Sequence, residues 1–60
     1  MQLGATIRAE RIRLGLTQEK LARKAGVLLR TLQRVEKGRG RADTLDAVFS
    51  ALEKFQQNPP

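Results

Sequence analysis

The sequence predicts a compact all-α domain of four helices. Three observations carry that expectation. No stretch of the 60 residues alternates apolar and polar side chains with period two, so a sheet is not expected. Glycine at positions 4, 15, 26, 38 and 40 punctuates the chain at roughly helix-sized intervals. Between the glycines, apolar residues recur three or four apart, the pattern of a helix with one buried face. The two prolines, Pro59 and Pro60, close the chain without interrupting any segment.

The first segment runs over about residues 3–14. Leu3, Ala5 or Thr6, Ile7 and Leu14 can share its apolar stripe, while Arg8, Glu10, Arg11 and Arg13 fill the rest. Gly15 ends it as a left-handed residue just past the helix. Leu16 precedes Thr17, which reads as the N-cap of a second helix over 17–25 with Glu19 in its first turn. Leu21, Ala22 and Ala25 form its buried stripe, and Gly26 stops it. A third helix covers about 28–37, with Leu32 and Val35 on one face. Gly38, Arg39, Gly40 and Arg41 form a loop. Asp43 is expected to cap a fourth helix over 43–56, where Leu45, Val48, Phe49, Leu52 and Phe55 repeat at i, i+3, i+4, i+7 and i+10. The domain then spans 1–57, with a tail at 58–60.

Composition narrows function. A domain of about 60 residues buries only about 60% of its unfolded surface, so a large walled cavity is not expected. The absence of cysteine excludes disulfides, thiolate nucleophiles and Cys-ligated metals. The absence of histidine removes the commonest general base and metal ligand. No catalytic residue, metal site or cofactor is therefore expected, and the chain reads as a non-enzyme.

Charge points to a partner instead. The net charge is +6 and the pI about 11.3, which favours nucleic acid first and an anionic membrane second. The charge is segregated. Residues 1–41 carry eleven Lys or Arg against three acids, a net +8, whereas 42–60 carry Lys54 against Asp43, Asp46 and Glu53, a net −2. A solubilising charge has no reason to segregate, and a binding face does. No apolar run approaches the ~20 residues of a membrane span, and the N-terminus lacks the pattern of a signal peptide, so the expectation is a cytoplasmic, membrane-free protein.

The middle of the chain meets several separate demands at fixed offsets. A small residue, Ala22, sits where the following helix must cross closely. Gly26 suits a turn that needs positive φ. Leu21, Val27, Leu32 and Val35 supply the apolar contacts that lock two short helices at ~90–120°. A plain helical hairpin would not need Ala22 and Gly26 together.

With these residues the sequence resembles the lambda-repressor-like (XRE/Cro-type) helix-turn-helix domain. The resemblance covers residues 3–52 and rests on Ile7-Arg8…Arg11, Gly15-Leu16-Thr17-Gln18, Leu21-Ala22, Gly26-Val27, Glu36-Lys37-Gly38 and Thr44-Leu45…Ala51-Leu52. It implies a compact bundle of four helices, or five where a further one follows, and a sequence-specific regulator, a repressor above all, that binds double-stranded operator DNA as a homodimer. By that resemblance Gln18, with Thr17 beside it, anchors a phosphate at the N-terminus of the second helix. The third helix enters the major groove with Leu29, Arg30, Gln33 and Arg34 toward the base edges. Arginine suits guanine O6 and N7, and glutamine suits adenine. Lys37, Arg39 and Arg41 then supply salt-dependent phosphate contacts. Arg11 and Glu36 match a structural salt bridge between the first and third helices. Each cation also fits a plain solvated surface, the reading taken for Arg23 and Lys24.

Two departures stand out. The family usually has a polar residue where Leu28 stands, and Leu28 and Leu29 place two apolar side chains at the tip of the third helix without a capping oxygen. Contact with thymine methyls, contact with a protein partner and burial against the first helix all remain open. Many members continue into a fifth helix that builds the dimer interface, which is not evident here. Phe49 is assigned to the core, and Phe55, near the helix end, to a self- or partner contact. "TLDAVFSAL" also resembles HipB-like antitoxins, which implies a second reading: an antitoxin that binds a kinase toxin and autoregulates its operon.

Overall fold

The computed structural model describes residues 3–57, and all regular elements among them are helices. In chain order they are α1 (Leu3–Arg13), α2 (Gln18–Ala25), α3 (Leu29–Glu36) and α4 (Ala42–Gln57). The fold class is thus the all-helical one expected. The 58–60 tail lies outside the described residues.

One device ends three of the helices. At the α2–α3 turn, Gly26 N–H donates to the Arg23 carbonyl at 3.2 Å and Val27 N–H to the Ala22 carbonyl at 3.0 Å. This paired closure requires a left-handed residue at its centre, and Gly26 has φ +73°. The same two bonds recur around Gly15 and Gly38. The residue after each glycine is thereby turned sharply: Leu16 is driven into the core and Val27 packs against it. Leu16 is a core residue and not only a linker, because closure of the α1 end aims it inward.

Ile7, Leu21, Leu32, Val35 and Val48 are fully buried, joined by Leu16, Ala22, Ala51, Leu52 and Phe55. α2 packs on α3 and α4, and α1 bridges α3 and α4. On α1 the buried stripe is Gly4 and Ile7, with Leu3 and Leu14 at its margins, while Ala5 and Thr6 are exposed. Gly4 is not punctuation. It lies inside α1, where an added Cβ would collide with the Val35 carbonyl oxygen and come within 2.9 Å of the Glu36 carbonyl oxygen and Gly38 nitrogen. The end of α3 therefore rests directly on the α1 backbone.

Two further expectations are corrected and one set of alternatives is narrowed. The assignment of Phe55 to a self- or partner contact is overturned, since it is buried among core residues, while Phe49, half-buried, packs against that core at its margin. Ala51, Leu52 and Phe55 lie within one turn of each other's face, so the inward stripe carries Phe55 with it. Asp43 is not the N-cap of α4. The first helical bond runs from Leu45 N–H to the Arg41 carbonyl at 2.9 Å, which makes Arg41 the boundary residue, and the Asp43 carboxylate accepts from Thr44 N–H at 2.8 Å. Its negative charge still sits in the first turn, where the helix dipole favours it. Leu28, finally, is 75% exposed and Leu29 38%, which removes burial against α1 from the three readings of this pair.

Candidate nucleic-acid interface

α2 begins where Thr17, in extended conformation, accepts the Lys20 N–H on its Oγ1 at 3.1 Å. That bond satisfies one of the helix's orphan donors and leaves Gln18 as the first helical residue. α3 begins differently. Leu28 is its N-cap, also extended, and offers no side-chain bond to the first N–H groups of α3.

Arg30, Gln33 and Arg34 on α3 and Lys37 at its C-cap stand at i, i+3, i+4 and i+7, one continuous face. All four are exposed, and the face lies opposite buried Leu32 and Val35. It holds three cations and one amide and no acid. Burial of one stripe thus dictates presentation of the other.

Four polar side chains from three helices meet at the edge of this face. Arg11 Nε donates to Glu36 Oε2 at 2.8 Å, and Arg11 Nη2 to Glu36 Oε1 at 3.2 Å. Arg11 Nη1 donates to the Leu16 carbonyl at 3.0 Å, so the guanidinium also ties down the α1–α2 connection. The side chains of Arg11 and Glu36 are 13% and 5% exposed. Gln18 Nε2 donates to Glu36 Oε1 at 3.2 Å, and Gln33 Nε2 to Gln18 Oε1 at 3.5 Å. An almost buried ion pair is therefore linked through Gln18 to Gln33 on the exposed face.

These residues border an open groove of about 600 Å³ between α1, the start of α2 and the end of α3. Arg11, Thr17, Gln18, Gln33, Glu36 and Lys37 all line it, and so does Arg8. Arg8 was not among the site residues read from sequence. The available signal was its spacing: it precedes Arg11 by three on α1 and so shares that side of the helix. Arg30 and Arg34 flank the groove on α3 without lining it. Arg39 and Arg41 are exposed on the α3–α4 connection, outside the groove.

A cationic helix face beside a second helix N-terminus, joined by a glycine turn, is the arrangement of a helix-turn-helix unit. Comparison with protein families agrees: the family described as Helix-turn-helix domain matches residues 2–56. The chain belongs to this family. No curated protein and no solved structure gives a match. Family membership indicates a DNA-binding regulator, in a family whose members typically are not enzymes. Among the described residues of this helix-turn-helix chain, no helix is long and apolar enough to cross a membrane. No three acids converge there to hold a metal ion.

Proposed function

We propose that this helix-turn-helix protein is a lambda-repressor-like (XRE/Cro-type) transcriptional repressor that acts in the cytoplasm and reads operator DNA in the major groove through α3. The exposed stripe of Arg30, Gln33, Arg34 and Lys37 opposite Leu32 and Val35 carries this reading. Arg30 and Arg34 suit guanine edges and Gln33 suits adenine. The exposed Leu28 and Leu29 suit thymine methyls at the same groove floor. Thr17, Gln18, Lys37, Arg39 and Arg41 hold the flanking phosphates. A homodimer would place two α3 helices in half-sites about 34–36 Å apart.

The test is operator selection from random DNA, followed by shift assays over a salt series. Affinity should fall steeply with salt, because phosphate contacts release counterions. Arg30→Ala should relax preference at one base pair, whereas Lys37→Ala should weaken every sequence alike and reduce the salt slope by about one. Salt-insensitive binding, or identical behaviour of the two variants, would overturn the reading.

Half-buried Phe49 favours a second reading, a HipB-like antitoxin that also docks a kinase toxin, since part of its ring stays at the surface of α4. Co-purification with a neighbouring kinase-like gene product would support it, and failure to bind that product would exclude it.

A further inference from the structure

We propose that Glu36 is a positioning residue that sets the hydrogen-bond polarity of Gln33, and with it the preference for adenine, through Gln18. The proposal rests on the base-reading role given above to Gln33 and adds a cause for its specificity.

A glutamine amide carries a donor end and an acceptor end of nearly the same shape. Turned by half a rotation, it presents the reverse pattern to a base edge. On an isolated exposed helix face nothing selects between the two. Here a selection exists. Glu36 is paired to the Arg11 guanidinium by two bonds, and a carboxylate so paired has no hydrogen to give. The end of Gln18 that faces Glu36 Oε1 must therefore be its amide nitrogen, as the 3.2 Å contact has it. That leaves Gln18 Oε1 toward Gln33, where a donor is favoured over a second acceptor. Gln33 turns its Nε2 to it at 3.5 Å.

The consequence is stoichiometric. Gln33 Nε2 has two hydrogens, of which Gln18 takes one. One N–H and the carbonyl oxygen remain for DNA, the pair that adenine N7 and N6 require for a bidentate contact. Gln18 likewise retains one amide hydrogen, sufficient for a phosphate oxygen. The chain of constraint begins at the least exposed carboxylate of the interface and ends at its base-reading amide. Each step follows from what the previous atom can only accept or only donate. In a site that excludes water on DNA binding, such linked bonds polarise one another and strengthen.

The experiment uses the selected operator and a panel in which the preferred adenine pair is replaced by each other pair. The measured quantity is the ratio of affinities, so a uniform loss of phosphate contact cancels. Glu36→Gln keeps the shape but lets position 36 present either a donor or an acceptor. Gln18→Met cuts the relay while leaving the Arg11–Glu36 pair in place. Each should lower the adenine preference about tenfold, on the order of one bidentate base contact. Binding to random DNA should keep its salt slope in Glu36→Gln. In a Gln33→Ala background neither substitution should lower the ratio further, since both act through Gln33. Circular dichroism confirms which variants are folded, and Gln18→Met carries the test should Glu36→Gln not fold. Full adenine preference in folded Gln18→Met overturns the relay while the base-reading role of Gln33 stands. Full preference in Gln33→Ala overturns both.

Discussion

Gly4 illustrates how a single residue can be indispensable for a reason invisible in its own segment. Within a helix, glycine is ordinarily worth replacing, since alanine there is about 0.5–1 kcal/mol more favourable. At Gly4 the sign should reverse, because the new Cβ would enter the space of the Val35 carbonyl and crowd Glu36 and Gly38 backbone atoms. Overpacking of this kind costs about 1–3 kcal/mol. For a domain this small, each kcal/mol moves the melting temperature by about 4–8 °C. Gly4→Ala is expected to lower the melting temperature measurably; an unchanged or raised value would refute the close approach of α3. Gly26 presents the opposite case. A Cβ there meets open space, but φ is +73°, so strain and not crowding should make Gly26→Ala unfavourable, by about 1–2 kcal/mol.

At the scale of elements, α3 is built with one end weak and the other strongly tethered. Its N-cap Leu28 has the extended backbone that a capping residue needs, yet no oxygen to cap with. Leu28→Ser should therefore stabilise the fold by about 0.5–2 kcal/mol, read as a rise in melting temperature. A fall would show that Leu28 makes contacts its 75% exposure does not reveal. At the other end, Glu36 is held by Arg11 with its side chain only 5% exposed. Arg11→Met strands that carboxylate, and the loss should be about 3–5 kcal/mol. Adding Glu36→Met should restore part of it, because an apolar pair avoids the cost of an unpaired charge. Denaturation of Arg11→Met, Glu36→Met and the double variant completes a double-mutant cycle with the parent chain, and simply additive losses would mean the two residues do not act as a pair.

For the whole molecule, stability is small and concentrated. A 60-residue chain at about 0.05–0.15 kcal/mol per residue has only about 3–9 kcal/mol in total. Phe55 belongs to the core cluster whereas Phe49 packs at its margin. Phe55→Ala, at about 3–5 kcal/mol, should leave the chain largely unfolded at 37 °C by circular dichroism, and Phe49→Ala should remain folded. The reverse order would place the core on the other face of α4. The charge distribution is a property of this same scale. The +8 of residues 1–41 includes the stripe on α3 and the cations around its groove, while α4 carries Asp43, Asp46 and Glu53 against Lys54.

The helical class, the glycine turn and the outward stripe of α3 were legible in the sequence because each depends on residues a few positions apart. Spacing alone settles which side chains share a helix face, and Leu32 and Val35 inward put Arg30, Gln33, Arg34 and Lys37 outward. Thr17 and Gly26 were legible for the same local reason: a cap and a left-handed turn are set by their own neighbours. Three features were decided only by tertiary structure. The α3 end on Gly4, the exposure of Leu28 and the link from Glu36 to Gln33 all depend on how far apart two helices come to rest. That distance is fixed by every side chain between the helices at once. A local pattern of apolar and polar residues therefore determines which faces meet, and only the assembled bundle decides which atoms touch.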